Sequence, residues 1–80
     1  MPTSTFFRLP EEKRQRLLDA AREEFSQARF SDVSINRLIQ NAHIPRGSFY
    51  QYFADKEDLF DYLISDMRDY FYQTMMEILM

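Results

Sequence analysis

Apolar residues recur at intervals of three and four along most of the chain, which is the spacing of one face of an α-helix. The first such repeat follows Pro10, Glu11 and Glu12. Proline suits the first helical turn, and acidic residues suit the positive end of the helix dipole. A first helix is therefore predicted from near Pro10 to near Arg29. Its apolar face comprises Leu17, Leu18, Ala21, Phe25 and Ala28.

A second, shorter repeat follows Ser34, which is a good N-cap residue. Its apolar positions are Ile35, Leu38, Ile39 and Ala42. His43 comes next, where helices often close with a residue in the left-handed conformation, and histidine is enriched in that conformation. We expect a short helix that stops near Ala42 and a left-handed His43.

Two further helices follow. Pro45 prevents the second helix from continuing and opens a third, predicted over residues 45–53. Asp55 is the predicted N-cap of the fourth helix, with Asp58 as the acidic residue three positions on. An apolar stripe then runs from Leu59 almost to the end of the chain, over roughly 25 residues or about 37 Å of helix. We expect its far end to pack against another domain or another chain.

Composition and charge narrow the classes of function. The chain has no cysteine, which excludes disulfides and thiol chemistry and mildly favours a cytoplasmic protein. It has no run of about 18 apolar residues, so no membrane partner is expected. Net charge is −3, yet residues 29–56 hold four basic and two acidic groups, whereas residues 57–80 hold one basic and six acidic groups. The third helix thus lies in the only positive block.

The single glycine, Gly47, falls inside the predicted third helix. On a helical wheel it lies opposite Phe49, Tyr52 and Phe53, which form the core side. A helical glycine costs about 1 kcal/mol relative to alanine, and packing inside the domain does not explain one on the outward face. We infer that a partner approaches the backbone closely at this position.

The neighbours of this glycine suit a DNA major groove. Arg46 is a candidate for guanine edges, and Gln51, on the same outward face, is a candidate for adenine edges. Tyr50, Ser34 and Lys56 are candidates for phosphate contacts. The first turn of a helix also offers free N–H groups to a phosphate. The pattern predicts a helix presented to double-stranded DNA.

The string "PRGSFYQYFADKEDLF" resembles the DNA-binding domain of the TetR (tetracycline-repressor) family. Members follow R-G-[ST]-[FL]-Y-x-[YH]-F-x-x-K-E-x-L, and the upstream "AAREEFSQARFSDVSI" also resembles their first helix. The likeness covers about residues 10–65. Two departures are His43, in place of the usual turn glycine, and Pro45, in place of the usual serine cap. The matching residues are Arg46, Gly47, Ser48, Phe49, Tyr50, Tyr52, Phe53, Lys56, Glu57 and Leu59.

This resemblance implies an all-α fold, a three-helix homeodomain-like helix-turn-helix bundle plus a long fourth helix that leads toward a missing C-terminal domain. The expected divisions are an N-terminal arm (1–9), the helix-turn-helix domain (10–54) and the connecting helix (55–80). We expect Phe6 and Phe7 in the arm to pack as an extension of the first helix. The alternative is a mobile arm that touches DNA.

The resemblance also implies roles for single residues. Tyr52 lies toward the core on the wheel, so packing is as plausible for it as DNA contact. The implied assignments place Arg46, Gly47 and Ser48 at base edges, Tyr50, Tyr52 and Lys56 at the backbone or base methyls, Ser34 at a phosphate and Asn36 at a base.

The implied partners are double-stranded DNA with a near-palindromic operator and, through the C-terminal domain, a second copy of the chain and a small-molecule effector. No cofactor, metal site or enzymatic activity is expected. The carboxylate pairs Asp58 with Asp61 and Asp66 with Asp69 are interpreted as a solvated helix face. The alternative function is a helical protein-interaction module that docks through the apolar stripe of the fourth helix.

Overall fold

A computed structural model describes residues 2–79, and every regular element among them is helical. The predicted all-α class is therefore confirmed. The α-helices are α1 (Ser4–Phe7), α2 (Glu11–Gln27), α3 (Ile35–Ala42), α4 (Phe49–Tyr52) and α5 (Lys56–Leu79). Two 3-10 turns, Phe30–Asp32 and Arg46–Ser48, precede α3 and α4 respectively.

The predictions for α2 and α3 are largely confirmed. The face of α2 that carries Leu17, Leu18 and Ala21 is buried, although the helix ends at Gln27 and not near Arg29. The Ser34 hydroxyl oxygen caps α3 by accepting a hydrogen bond from the Arg37 N–H at 3.2 Å. At the other end His43 adopts φ 58° and ψ 46°, the left-handed closure that its sequence position predicted.

The predicted third helix over residues 45–53 is too long at both ends. Pro45 has an extended backbone, with ψ 145°, and Phe53 is extended again, with φ −132° and ψ 143°. Between them lie the 3-10 turn Arg46–Ser48 and then α4, which together we call the recognition helix (residues 46–52). Proline without an N–H group suits the position just outside the first turn, which explains where the helix begins.

The inner face of the recognition helix lies in the hydrophobic core, as the wheel predicted. Phe49 and Tyr52 are buried, and so is Phe53, the residue that directly follows the helix. They share the core with buried residues from the other four helices. The core thus fixes which side of this short helix faces outward. Contributors from those helices include Phe6, Leu17, Leu38, Leu59 and Leu63.

The N-terminal segment forms a helix of its own and does not extend α2. Phe6 of α1 is fully buried, with its ring 5.0 Å from that of Phe53 and 5.4 Å from that of Tyr62. Phe7, by contrast, is 48% exposed. Packing of Phe6 is therefore confirmed, but its partners are Phe53, which follows the recognition helix, and Tyr62 of α5.

The long helix α5 begins with a reciprocal cap. The Asp55 carboxylate accepts from the Asp58 N–H at 2.8 Å, and the Asp58 carboxylate accepts from the Ala54 N–H at 3.0 Å. Leu59 and Leu63 bury the first half of the helix against the core. Its second half exposes large apolar side chains, namely Met67, Tyr70, Phe71, Tyr72, Met75, Met76, Ile78 and Leu79.

Candidate nucleic-acid interface

An open depression of about 270 Å³ lies where the beginning of α3, the recognition helix and the beginning of α5 meet. It unites five side chains that the sequence proposed for DNA contact. No carboxylate lines it within the described residues 2–79. Its two cationic members make it suitable for a phosphate group. The lining residues are Val33, Ser34, Ile35, Asn36, Arg46, Tyr50 and Lys56.

Gly47 lies beside this depression on the outward face, as predicted. A Cβ atom built at Gly47 would meet no atom within 4 Å, and its φ is not positive. Neither packing nor backbone conformation within the domain therefore requires glycine here. Arg46 and Gln51 are exposed on either side of it, and Tyr50 is 59% exposed. These residues form a surface that a partner can approach.

Two other proposed contacts are less accessible. Ser48 is half-buried. Tyr52 is only 3% exposed, and its ring lies 6.3 Å from that of Phe6. The Tyr52 ring therefore packs in the core, which was one of the two predictions for this residue. It does not belong to the exposed surface of the recognition helix.

Lys56 is held in place by the turn that precedes α3. Its Nζ donates to the carbonyl oxygens of Ser31 and Val33, both at 3.4 Å, and lies 4.9 Å from the centroid of the Phe30 ring. Cation–π contacts of this kind are worth about 0.5–1 kcal/mol at exposed sites. These contacts place the ammonium group at the edge of the depression.

A buried carboxylate sets the position of α3. Glu24 of α2 is 5% exposed, and its carboxylate accepts from the Ser34 N–H at 3.0 Å and from the Arg37 guanidinium at 2.6 Å. These bonds tie the N-terminus of α3, with Ser34 and Asn36, to α2. They also neutralise Arg37, so this arginine contributes less to the positive surface than its place in the sequence indicated.

Sequence reasoning missed Glu24, although a signal was present. Glu24 is three and seven residues from Ala21 and Leu17, which places a charge on the apolar face of α2. A charge in that position is rarely buried unless it is paired. Together these facts point to a buried ion pair, but the identity of the partner depends on the tertiary fold.

Replacing Glu24 with glutamine should lower the free energy of unfolding at neutral pH and should lower it much less in acid. Hydrogen bonding from Arg37, opposed by burial and helped by the Ser34 N–H, holds the pKa of Glu24 below its usual value. A lowered pKa in the folded state gives stability that is present above the unfolded-state pKa and is lost as pH falls through the folded-state pKa. Urea unfolding at pH 7 should show a loss of about 1–3 kcal/mol in Glu24→Gln.

The difference between the two proteins should shrink as pH falls below about 4. Glu23→Gln, which changes the exposed neighbour, is the matched control and should stay close to the original protein. An equal difference at pH 7 and pH 3 would show that the carboxylate charge of Glu24 is not what stabilises α3.

Other carboxylates serve the structure of α5. Asp66 forms an ion pair with Arg22 of α2 at 3.1 Å, and Asp58 belongs to the helix cap. Within residues 2–79 no group of histidine, aspartate and glutamate side chains could hold a metal ion. None of the helices in that range offers a sufficiently long apolar stretch to span a bilayer.

Comparison with known proteins identifies the family to which this chain belongs. The family described as "Bacterial regulatory proteins, tetR family" matches residues 17–63. The chain belongs to the TetR family. The matched region runs from the middle of α2 into α5 and contains the whole recognition helix. The TetR resemblance of the sequence is thereby confirmed, whereas α1 lies outside the matched region.

Individual TetR-family relatives are considerably longer than this chain. It is 44% identical over 55 residues to the uncharacterized HTH-type transcriptional regulator YdgC of Bacillus subtilis (strain 168), a match that covers 69% of the chain and 28% of the relative. It is 42% identical over 50 residues to the HTH-type transcriptional regulator AcrR of Shigella flexneri, covering 62% and 23% respectively.

A solved structure supports the same assignment. The crystal structure of a TetR family transcriptional regulator from Chloroflexus aurantiacus J-10-FL is 60% identical in sequence and superposes with a TM-score of 0.78. The match covers 81% of this chain and 30% of that one. This chain therefore spans less than a third of the relatives it resembles.

Proposed function

We propose that this chain is the sequence-specific DNA-binding domain of a TetR-family transcriptional regulator, a repressor that a small-molecule effector releases from DNA. The observation that carries the proposal is the open face at Gly47, flanked by exposed Arg46 and Gln51 and adjoining the cationic depression. A helix with this face can enter a major groove about 12 Å wide. The domain acts in the cytoplasm and catalyses no reaction.

Base recognition would come from the outward face. Arg46 can donate two hydrogen bonds to a guanine edge, and Gln51 and Asn36 can pair with adenine. Gly47 lets the duplex approach the backbone, because a larger side chain would stand between the helix and the base edges. Ser48 is close enough in sequence to share in this contact. These residues would supply the preference for one DNA sequence over another.

Phosphate contacts would come from the edges of the depression. Lys56 presents an ammonium group, and Tyr50 presents an exposed ring with a hydroxyl group. The Ser34 hydroxyl accepts from Arg37, which leaves its own proton available for a phosphate oxygen. Contacts of this type fix the register of the protein on the duplex without selecting its sequence.

The regulator that contains this domain would act as a homodimer on a near-palindromic operator. Paired helix-turn-helix modules read half-sites about one helical turn, or a multiple of it, apart. Dimerisation and effector binding would require the additional length that the relatives possess. The exposed apolar residues of α5 would pack against that additional part. No relative described above has a name that indicates the alternative function of a protein-docking module.

Selection from randomised duplexes at low ionic strength tests this proposal. Successive rounds should enrich one half-site sequence, and affinity for it should fall steeply as salt rises because phosphate contacts release counterions. Docking through the apolar stripe of α5 would respond little to salt. Failure to enrich any sequence, together with binding that is indifferent to salt, would contradict DNA recognition.

Lys56→Ala should weaken binding to all duplexes by a similar factor. Loss of one phosphate contact should flatten the slope of log K against log salt by about 1. Fluorescence anisotropy titrations at several salt concentrations, on the selected and on an unrelated duplex, measure both quantities. Arg68→Ala removes the same charge from an exposed position on α5 and serves as the control. A slope in Lys56→Ala equal to that of the original protein would show that Lys56 only braces the turn at Ser31 and Val33.

A further inference from the structure

The recognition helix is too short to maintain its own conformation. Its α-helical part, Phe49–Tyr52, has four residues, whereas isolated helices shorter than about 12–15 residues are marginal in water. It also lacks a left-handed closing residue, because Phe53 is extended. Its last carbonyl groups therefore need hydrogen-bond donors from elsewhere.

Thr3 supplies two of those donors. Its backbone N–H donates to the Tyr52 carbonyl at 2.9 Å, and its hydroxyl donates to the Gln51 carbonyl at 2.6 Å. The same hydroxyl oxygen accepts from the Phe6 N–H at 3.4 Å and so caps α1. One residue thus joins the beginning of α1 to the end of the recognition helix.

The rest of α1 keeps Thr3 in this position. Phe6 is fully buried, and its ring meets those of Tyr52 and Phe53 at 6.3 and 5.0 Å. The ring therefore anchors α1 on the inner side of the recognition helix, while Thr3 closes its C-terminal end. Thr3 and Phe6 both lie before residue 17, where the family match begins.

We propose that Thr3 is a positioning residue for DNA recognition, and that α1 acts as a clip that orders the recognition helix before it meets DNA. The proposal rests on the DNA-binding function given above. Thr3 holds the carbonyl of Gln51, whose side chain lies on the outward face. A frayed C-terminal end would have to be ordered during binding, and that ordering would weaken affinity.

Thr3→Val tests the clip, because valine has nearly the same shape and lacks the hydroxyl. Valine cannot donate to the Gln51 carbonyl or accept from the Phe6 N–H. Loss of these bonds should lower affinity for the selected duplex by roughly three- to tenfold. The salt slope should not change, since no phosphate contact is lost. Thr3→Ser should restore binding. Thr5→Val changes an exposed threonine of the same helix and should have no effect.

Hydrogen exchange of the free chain gives a second measurement that needs no DNA. The amide of Phe53 donates to the Phe49 carbonyl at 3.0 Å, and it should exchange roughly three- to tenfold faster in Thr3→Val. Unchanged affinity and unchanged exchange would overturn the clip. A salt slope that falls by about 1 would show that Thr3 contacts phosphate and would overturn a positioning role.

Hydrogen exchange tests the clip even where DNA affinity cannot be measured. If the original chain enriches no duplex, DNA recognition fails, and the exchange of Phe53 alone decides whether Thr3 orders the helix. Faster exchange in Thr3→Val that is reversed in Thr3→Ser would then support the clip, and equal rates in all variants would refute it.

Discussion

Gly47→Leu is expected to abolish operator binding while the domain stays folded. A leucine side chain at this position would project from the outward face into the space that the duplex is proposed to occupy. Within the domain the position has room for a side chain to begin, because a Cβ atom built there has no neighbour within 4 Å. Replacing glycine in a helix also tends to stabilise the folded state by about 0.4–1 kcal/mol. Binding and stability should therefore change in opposite directions.

Anisotropy titrations with the selected duplex and thermal unfolding by circular dichroism measure the two effects. Gly47→Ala is the graded control, with a single methyl group that should reduce affinity partly and raise stability slightly. Full binding by Gly47→Leu would disprove close approach of DNA to this backbone. Unfolding of the variant would disprove that the position is open within the domain.

Phe6→Ala is expected to cause a large loss of stability, about 3–5 kcal/mol in urea unfolding. The Phe6 ring is fully buried and lies within 6.3 Å of the rings of Tyr52, Phe53 and Tyr62. Its removal would leave a cavity beneath the recognition helix. A loss of this size is a large share of the 5–15 kcal/mol that stabilises a typical domain, so a population of unfolded chains should appear at ordinary temperature.

Phe7→Ala is the matched control, because the neighbouring phenylalanine is 48% exposed. It should cost about 1 kcal/mol or less. Equal effects of the two substitutions would mean that α1 does not insert one specific ring into the core. The comparison also tests whether the first residues belong to the domain, although the family match begins at residue 17.

Short-range rules predicted much of this fold correctly. The Ser34 N-cap, the left-handed His43 and the reciprocal cap of Asp55 with Asp58 each depend on residues within four positions of one another. The outward orientation of Gly47 followed from helical spacing in the same way. In each case the sequence contains both partners of the interaction close together, so the pattern is visible before the fold is known.

Long-range partners were not predictable from the pattern. The Thr3 hydroxyl bonds to a carbonyl 48 residues away, and Lys56 bonds to the Ser31 carbonyl 25 residues away. Glu24 pairs with Arg37 from a different helix. The local sequence around one partner does not indicate which residue the other partner is, because the two meet only when the helices pack together. For the same reason the sequence could not distinguish packing from DNA contact for Tyr52, whose ring the fold places in the core.

The recognition helix was predicted one residue too long at each end for a related reason. Pro45 and Phe53 fit the helical spacing, yet both adopt extended backbone. Phe53 turns its ring into the core next to Phe49, 5.8 Å between centroids, and tertiary packing of this kind overrides a local helical preference.

Amide chemical shifts of the isotope-labelled chain, followed during titration with the selected duplex, show directly which surface binds DNA. The largest shifts should occur in the recognition helix and at Asn36 and Lys56 around the depression, while the amides of residues 67–79 should stay unchanged. Shifts concentrated along that second half of α5, with the amides of Arg46, Gly47 and Gln51 unmoved, would contradict DNA binding through the recognition helix.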